Sequence, residues 1–571
     1  MVKIRKKPLL MASFIYIYVP VIIFLIGFIK AYISLPVLMG LGYAVYRVIK
    51  TLRDGDRQDN SVTTDRDSGN DSISVDIRFL VTGIIFLILV GFFAGWGRWV
   101  KQSFDWYKHN AVLSDLIEKP WPVYYVNGNE KSMLSYYIGQ YLVPALCGKI
   151  SGLFTNTSMT VTTVPLNLMA ADDWVIAEYV TKITVPFRIA EIAEYIWNIT
   201  GLILVWMNLM LYLKRKTVKA HIVELFMLAF FSVPQSLVEI LVKLFFGIDS
   251  FYNNYIMTHG NEIILQYAGN FVSMVGAFAQ VIVPWLVVVI FLNNRDNIRI
   301  YLFYMLPLIL FAPLPLLGLV PIALGHAVYR LVKDKTTVKW LKEVFSAENL
   351  LCLFSLGTVL MLYLYGNIFE PKPDILKLRI MHYEDLFGLY FVFVIINVLL
   401  YAAFLFKSNK NNHIFYIAVA ELILLPLFRM GYFNDLNIRS SVPALFIIMC
   451  LLIEQITDGF NVIREKKALL TIVLYIALVV LVYNGTSYQY QRMGKRIIEE
   501  NYTKDADLYT YGTMEYFADR SYDNMTDAER KSLLLEKHPE FEMVQDFTVD
   551  LVYNYYSYDI EENLFYKYVA R

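Results

Sequence analysis

Long apolar stretches, separated by short polar ones, recur along the chain up to about residue 483. Most of them run for roughly 18 to 25 residues, which is enough for an α-helix to cross about 30 Å of hydrocarbon. A helix also satisfies its own backbone hydrogen bonds, as the interior of a bilayer demands. The pattern therefore predicts an all-α polytopic membrane protein with about 13 transmembrane helices.

The limits of each apolar stretch set the limits of the predicted helices. They lie near residues 10–29, 32–49, 78–97, 187–213, 221–245, 272–292, 348–366, 386–406, 413–431, 441–458 and 467–483, with a Pro-rich helical hairpin at 311–335. Residues 134–154 are also apolar, but they are rich in Tyr and contain Gln140 and Pro144. We predict that this segment is an interfacial helix on the outer face of the membrane.

Composition supports a membrane protein and excludes other classes. The chain has 571 residues, of which 57% are hydrophobic and only 18% charged, which is too much apolar surface for one soluble core. The formal net charge is +1, and no basic stripe is visible, so nucleic acid is excluded as a partner. Cys147, Cys352 and Cys450 are too scattered for a disulfide framework or a metal cluster, and no metal site is predicted.

Clusters of Lys and Arg indicate which helix ends stay in the cytoplasm. KIRKK near the N-terminus and YRVIKTLRDGDR after the first helical hairpin are both basic, which places the N-terminus in the cytoplasm. Residues 1–50 are then a transmembrane hairpin, and residues 51–76, rich in Asp, Ser and Asn, a disordered cytoplasmic linker. Residues 77–483 form a transmembrane domain with a large outer loop at 98–186. Residues 484–571 form a small extracytoplasmic C-terminal segment.

Side chains capable of chemistry gather in the outer loops, beginning with FDWYKHNAVLSDL. If that stretch is helical, Asp105 and His109 share one face, with Lys108 beside them. A carboxylate there is able to take a proton from a hydroxyl, and the cation can orient it or meet a phosphate. Spacing alone favours a simpler interpretation, an ordinary charge pair on a solvated helix. Asn110 and Asp115 lie in the same stretch, and Asp115 is a rival acid.

Two further sets of outer residues are candidates for binding substrate. Trp121 and Tyr124 fit either a belt of aromatic residues at the membrane interface or a platform on which sugars stack. His259 and Glu262, in the second outer loop HGNEIILQYAGN, are placed to line the acceptor side of a site. An exposed polar loop is the simpler interpretation of that second pair.

The late outer loop YFNDLNIRSSVP contains Arg439 at the level of the lipid headgroups. Arg is always charged and offers a planar fork of donors that suits phosphate. For an arbitrary membrane protein, an arginine that reaches for ordinary lipid headgroups is the more common case. Asp435 is placed to cap this turn or to pair with Arg439.

The two motifs, DWYKHNAVLSDL and NDLNIRSSVP, resemble the bacterial integral-membrane glycosyltransferases of the C-type fold. These enzymes take a sugar from a polyprenyl-phosphate carrier on the outer side of the membrane. The resemblance covers most of the membrane region in layout, and it includes an Asp soon after a transmembrane helix, the juxtamembrane segment PWPVYY and the basic run LKRK. It implies a bundle of that fold with extracytoplasmic juxtamembrane helices.

The resemblance also implies roles for particular residues. Asp105 would be the general base on an acceptor hydroxyl, with His109 and Asn110 orienting it. Arg439, assisted by Lys108, would stabilise the charge of the departing phosphate, and the sugar would be inverted.

The partners implied are a polyprenyl-phosphate sugar, an envelope glycan or lipid-linked acceptor, membrane lipids and a separate enzyme that charges the carrier. No cofactor is expected, and a divalent metal is left open. The chain departs from the family in three ways. Two helices precede the one that introduces the Asp, and Asp115, Asp172 and Asp173 are rival acids. The segment 484–571 is rich in Tyr with acidic patches, and nothing in it indicates a fold or a ligand.

A transporter or flippase for a lipid-linked sugar is the main alternative, and a non-catalytic envelope scaffold is a third possibility. Transporters tend to have internal repeats, interrupted helices and ionisable residues near the membrane midplane. No convincing repeat is visible in the sequence. Glu224, Glu239, Glu421 and Arg429 lie in or beside apolar runs, several of them near predicted helix ends.

Overall fold

The computed structural model describes most of the chain, with gaps. The described residues are 1–59, 72–103, 105–127, 130–155, 158–160, 182–215, 217–247, 251–252, 255–257, 264–335, 337–368, 377–381, 387–431, 433–464, 469–499, 514, 529, 532–533, 536, 555–557 and 560–571.

Helices make up most of the described chain. In order they are α1 (Lys6–Phe28), α2 (Ala31–Asp59), α3 (Ile77–Phe93), α4 (Trp106–Glu118), α5 (Leu142–Gly152), α6 (Val185–Leu213), α7 (Val218–Phe230), α8 (Gln235–Phe246), α9 (Asn270–Ala277), α10 (Ile282–Asn294), α11 (Tyr301–Met305), α12 (Leu308–Phe311), α13 (Pro313–Asp334), α14 (Thr337–Val344), α15 (Ala347–Cys352), α16 (Thr358–Ile368), α17 (Phe387–Val394), α18 (Leu400–Asn409), α19 (His413–Leu424), α20 (Asp435–Ser440), α21 (Val442–Arg464) and α22 (Leu469–Glu499). Single π-helical turns, Leu353–Gly357 and Ile395–Leu399, join α15 to α16 and α17 to α18.

The strands are short and form small antiparallel sheets beside the helices. They are β1 (Val2–Arg5), β2 (Ser72–Val75), β3 (Tyr124–Asn127), β4 (Glu130–Leu134), β5 (Ser158–Thr160), β6 (Lys182–Thr184), β7 (Phe251–Tyr252), β8 (Tyr255–Met257), β9 (Ile264–Leu265), β10 (Arg379–Ile380), β11 (Phe428–Arg429) and β12 (Tyr556–Ser557). Strand β1 pairs with β2, β5 with β6 and β10 with β11, while β12-β4-β3 and β7-β8-β9 form three-stranded sheets.

Eight helices of the described chain are long and apolar enough to cross a membrane, or nine if one bent pair counts as a single span. This agrees with an α-helical membrane protein, although about 13 spans are predicted from the sequence. Part of the difference lies in stretches that are shorter or interrupted. The predicted helix 221–245 is two helices, α7 and α8, separated at residues 231–234, and α3 has only 17 residues. The Pro-rich stretch predicted as a hairpin contains one long helix, α13, because its first prolines stand in the first turn, where no backbone donor is lost.

The predicted helix 272–292 is broken. Helices α9 and α10 meet at an angle of 97° across the break, with a single 3₁₀ turn, Phe278–Gln280, between them. Such a break leaves backbone carbonyl groups without helical partners, so other side chains have to satisfy them.

The two ends of α1 define two ends of the helical bundle. Lys6 Nζ donates to the carbonyl oxygen of Asn293 at 2.9 Å, while at the other end of α1 the backbone N–H of Arg571 donates to Phe28 at 2.8 Å. The Lys6 end carries many of the charged pairs, such as Arg330 with Asp296, and we call it the basic end. The opposite end carries the site described below, and we call it the site end.

The predicted linker and tail have different limits in the structure. Residues 51–59 continue α2, and Ser72–Val75 pair with Val2–Arg5, so ordered structure reaches into both ends of the predicted linker 51–76. Helix α22 continues beyond the predicted boundary at 484 as far as Glu499. Near its end Arg496 donates to the carbonyl oxygens of Phe93 and Lys101, which ties it to the loop before α4.

The last described residues form a strap across the site end. This C-terminal strap (residues 555–557 and 560–571) adds β12 to the β3-β4 hairpin, and Ile29 forms a β-bridge with Ala570. Ser557 Oγ donates to the carbonyl oxygen of Gly366 at 2.7 Å, at the end of α16. The C-terminal strap therefore joins α1, α16 and the hairpin.

Candidate functional site

A sharply folded loop places the start of α4. Gly95 and Gly97 adopt positive φ angles of 96° and 74°, which glycine tolerates, and Arg98 between this turn and the loop also has a positive φ of 55°. Arg98 is fully buried and makes a two-pronged ion pair with Glu191 of α6, at 2.6 and 3.0 Å. This buried pair holds a backbone conformation that an arginine rarely adopts, and it thereby fixes the direction in which the chain reaches Asp105.

Three ring N–H groups from this region form hydrogen bonds with free backbone carbonyl oxygens at the end of α9. Trp96 Nε1 donates to the carbonyl oxygen of Met274 at 2.9 Å, and Trp106 Nε1 donates to that of Val275 at 2.8 Å. His109 Nε2 lies 3.2 Å from the carbonyl oxygen of Gly276. The orphaned carbonyls of the broken span are therefore the surface against which α4 is docked.

These contacts define the protonation of His109. Because Nε2 faces a carbonyl oxygen it carries the proton, and Nδ1 then accepts from the hydroxyl of Tyr141 at 2.5 Å. Burial lowers the pKa of His109 to about 4; Asp105 acts in the opposite direction, while Lys108 and Arg439 lower it further. His109 is thus a neutral buried link between α4, α9 and Tyr141 at neutral pH.

Asp105 stands at the start of α4 with its carboxylate beside the broken span. Its side chain is 43% exposed and lies 4.0 Å from Nζ of Lys108, whose side chain is 14% exposed. A Cβ atom placed on Gly276 would come within 2.5 Å of Asp105 Oδ2, so the carboxylate rests directly over that glycine. The sequence predicts Asp105 and His109 on one helix face with Lys108 beside them; in the structure Asp105 directly precedes α4, and both Asp105 and His109 lie against Gly276.

Arg439 lies on the short helix α20, which is anchored by amide side chains. Asn434 adopts a left-handed conformation (φ 58°) and caps α20, and its Nδ2 donates to the carbonyl oxygen of Ile264 at 3.0 Å. Asn437 Nδ2 donates to Gln266 at 2.8 Å, and Ser440 Oγ donates to Leu314 at 3.0 Å. These bonds fix α20 against α13 and against the segment that precedes α9.

The two motifs, far apart in sequence, meet at the site end. Arg439 pairs with Asp435 at 3.9 Å, one helical turn away on α20. Asp435 also lies within the electrostatic influence of Lys108 and Asp105, and His109 lies within that of Arg439. Helix α4 contacts Gly276 and helix α20 contacts Gln266, so the two ion pairs stand on the same stretch of chain around α9. We call these two carboxylates and two cations the charged cluster (Asp105, Lys108, Asp435 and Arg439).

Two tyrosines that the sequence did not single out border the charged cluster. The hydroxyl of Tyr137 accepts a hydrogen bond from Gln280 Nε2, at the break between α9 and α10. Burial raises the pKa of Tyr137, Arg439 opposes this, and Asp435 and Asp105 add to it. The pKa of Tyr555 is raised by burial and, among its neighbours, by Asp105 and Asp435. Nothing in the spacing of LSYYIGQY marks Tyr137, because its position depends on packing against the C-terminal strap.

Two of the predicted site residues, Asn110 and Asp115, form hydrogen bonds with other parts of the protein. Asn110 is buried and its Nδ2 donates to Gln102 Oε1 at 2.8 Å, which folds the loop before α4. Asp115 is also buried; its Oδ2 accepts from the hydroxyl of Tyr125 at 2.7 Å and from the backbone N–H of Met514 at 2.8 Å. The structure thus gives Asp115 a role in attaching the C-terminal segment to α4.

The predicted aromatic residues pack at the site end of α1. The Trp121 ring stacks on Phe28, with 5.4 Å between ring centroids, and its Nε1 donates to Leu116 at 2.8 Å. The hydroxyl of Tyr124 donates to the carbonyl oxygen of Arg571 at 3.3 Å, at the edge of the C-terminal strap. Both side chains therefore make structural contacts, Trp121 with α1 and α4 and Tyr124 with the C-terminal strap.

His259 and Glu262, together with the rival acids Asp172 and Asp173, lie outside the described residues. The predicted interfacial segment 134–154 contains the short helix α5, residues Leu142–Gly152, preceded by strand β4.

Comparison with known proteins yields no relative for this chain: no family model, no curated protein and no solved structure matches it. The function therefore has to be argued from the site itself.

Proposed function

We propose that the protein is a membrane glycosyltransferase that moves a sugar from a polyprenyl-phosphate donor to an envelope glycan or a lipid-linked acceptor. The observation that carries this proposal is that α4 and α20 dock on the same stretch of chain, Ile264 to Gly276, so that Asp105 and Arg439 stand at the same end of the bundle. A carboxylate beside cations suits a reaction in which a hydroxyl loses a proton while a phosphate gains charge.

Asp105 is the general base in this proposal. Its partly exposed carboxylate accepts the proton of the acceptor hydroxyl, and the hydroxyl oxygen forms a bond to the anomeric carbon of the sugar. The bond between that carbon and the phosphate oxygen breaks, and the polyprenyl phosphate departs with the electron pair. Attack opposite the departing group inverts the sugar.

Arg439 and Lys108 receive the phosphate. Their side chains are only 16% and 14% exposed, so a phosphate that reaches them is screened little by water. Nε of Arg439 is buried and lacks a hydrogen-bond partner among the described residues, which leaves a donor for a ligand oxygen. His109 and Asn110 serve as positioning residues, since their own hydrogen bonds hold α4 in place.

The membrane setting follows from the same reasoning. The donor's polyprenyl tail stays among the lipids, while its headgroup enters at the site end. By the positive-inside rule the basic end faces the cytoplasm, so the site end is extracytoplasmic in the cell membrane. A separate enzyme would then charge the carrier on the cytoplasmic side.

A transporter or flippase for a lipid-linked sugar is the second candidate, because two features favour it. The span α9–α10 is bent by 97°, as in the interrupted helices of transporters. Glu421 of α19 is buried, and neither of its carboxyl oxygens has a hydrogen-bond partner among the described residues. A carboxyl group without a hydrogen-bond partner among apolar helices costs free energy, and such groups are often functional.

The experiment uses the purified full-length protein in vesicles that contain a fluorescent polyprenyl-phosphate sugar, with envelope glycan supplied as acceptor. Wild type is compared with Asp105→Asn and Arg439→Ala, and with Asp458→Asn as a matched control, since Asp458 is an exposed acid at the basic end. We expect glycan labelling with wild type and the control, and its loss with the two site variants. Movement of the donor across the bilayer without any labelled glycan would instead favour the flippase.

A further inference from the structure

The C-terminal strap reaches the charged cluster through a stack of tyrosines. The rings of Tyr136 and Tyr555 are nearly parallel, with centroids 3.9 Å apart, and the Tyr136 and Tyr137 centroids are 3.6 Å apart. Tyr136 and Tyr555 are both buried. Tyr137 is the member that reaches Gln280 and the charged cluster.

The strap is held in register by backbone bonds on both sides of this stack. The backbone N–H of Ser135 donates to the carbonyl oxygen of Tyr555 at 2.8 Å, and β12 continues the pairing with β4. The hydroxyl of Tyr363 on α16 donates to the carbonyl oxygen of Tyr136 at 2.6 Å. The position of Tyr555 is therefore fixed by two chain segments from different parts of the sequence.

The broken span connects this stack to Asp105, because Tyr137 accepts from Gln280 and the Asp105 carboxylate rests over Gly276, four residues before Gln280. Asp105 and Asp435 both raise the pKa of Tyr555 and of Tyr137, which agrees with this arrangement. The strap itself packs on the site end of α1, where Phe565 stacks on Phe24 and Ala570 pairs with Ile29. A lipid tail would lie among the helices, whereas this wall faces the end from which a water-soluble glycan would approach.

We propose that the C-terminal strap is the acceptor-side wall of the site, and that Tyr555 is a positioning residue that holds Tyr137 at the charged cluster. The wall stands on the tyrosine stack, the pairing of β12 with β4 and the bond between Gln280 and Tyr137; its assignment to the acceptor rests on the proposed function. Loss of the Tyr555 ring would leave a cavity behind Tyr136 and let Tyr137 move away from Asp105.

The first arm of the test measures how accessible residue 105 is to a reagent in water, and it does not depend on activity. Asp105→Cys in the full-length protein is treated with a membrane-impermeant maleimide, and modification at residue 105 is followed by mass spectrometry. Adding Tyr555→Ala should raise the labelling rate about threefold or more, because Tyr136 and Tyr137 lose the ring that supports them and Tyr137 is able to move away from residue 105. Tyr555→Phe keeps the stacked ring and should label like the parent. Tyr568→Ala removes an exposed ring of the same strap and serves as the matched control.

The second arm measures transfer, with envelope glycan from a deletion strain as acceptor. Tyr555→Ala should raise KM for the glycan about tenfold, with kcat and the KM for the polyprenyl-phosphate sugar changed much less. Tyr555→Phe should restore the wild-type values. A purely structural defect would instead lower the amount of active protein and leave both KM values alone.

The outcomes separate the two claims. Unchanged labelling at residue 105 in a folded Tyr555→Ala protein overturns the wall, whatever the activity. Should Tyr555→Ala fail to reach the membrane, Tyr555→Leu, which fills most of the volume without a flat ring, takes its place in both arms. Faster labelling with an unchanged glycan KM refutes the acceptor assignment. Faster labelling with no transfer by wild type leaves the wall standing and refutes the proposed function.

Discussion

Replacing His109 with Gln tests the claim that this histidine is a neutral link. Burial lowers its pKa to about 4 from the ordinary value of 6.5. The unfolded chain therefore binds the proton more readily than the folded protein. Its contribution to stability is fully present above pH 6.5 and is lost as the pH falls toward 4. At pH 5 the loss is about 2 kcal/mol relative to neutral pH.

The structural reason is that the charge of an imidazolium would be buried. Protonated Nδ1 can no longer accept the hydroxyl of Tyr141, although Nε2 still donates to Gly276. A Gln side chain does not titrate, and its amide is able to donate to Gly276 and accept from Tyr141. The other histidines of the chain are present in both proteins, so their titration cancels in the comparison.

The measurement is the free energy of unfolding in detergent micelles at pH 7.5 and pH 5. We expect wild type to lose about 2 kcal/mol more than His109→Gln between these two values. An equal loss in both proteins would mean that His109 titrates normally, and the assignment of its tautomer and burial would be wrong.

Two other substitutions separate positioning from stability. Gly276→Ala introduces a Cβ 2.5 Å from Asp105 Oδ2, and because the carboxylate is the end of a movable side chain, we expect little change in unfolding but about a tenfold or greater loss of transfer in the vesicle assay. A fully active Gly276→Ala protein would contradict a catalytic Asp105. Arg98→Met removes the two-pronged partner of the buried Glu191 carboxylate but leaves Arg188, whose Nη1 donates to Glu191 Oε2 at 3.0 Å, so it should cost about 1 to 3 kcal/mol in thermal or denaturant unfolding. The double substitution with Glu191→Met should recover part of that cost, and a double variant as unstable as Arg98→Met alone would argue against the ion pair as the cause.

Elements with strong local signals were predictable from the sequence. Helix α6, expected at 187–213, runs from Val185 to Leu213, because Thr184 caps it, Pro186 fits its first turn and its apolar run is unbroken. The proximity of Asp105 to Lys108 follows from helical spacing in the same way.

The broken span was not predictable, because its cause lies elsewhere in the chain. Residues 270–294 read as one apolar helix, and the break is stable only because Trp96, Trp106 and His109 supply donors to its free carbonyls. Hydrophobic periodicity carries no information about such distant partners. Breaks of this kind account for part of the excess of predicted over observed spans.

The candidate site also contains some residues that the sequence marked and others that only the structure reveals. Sequence alone marked Asp105 and Arg439 as separate possibilities, each with a simpler interpretation, and only the folded chain brings them together. Tyr137 and Tyr555 had no signal, since an aromatic residue in a Tyr-rich chain is uninformative until its neighbours are known. The roles of His109 and Asn110 as anchors depend on partners, Gly276 and Gln102, that spacing could not reveal.

The long sequence separation across the C-terminal strap bears on how the protein is assembled. Lys30 and Lys567, which are hydrogen-bonded, are 537 positions apart. At ordinary rates of synthesis, roughly half a minute or more passes between the insertion of α1 and the arrival of its partner. During that interval the site end of α1 and the β3-β4 hairpin have an unpaired edge, which other proteins or chaperones can reach. The strap therefore joins the site only after α1 to α22 have been synthesised, and a ribosome that stalls before residue 555 would leave an inserted helical bundle with an incomplete site.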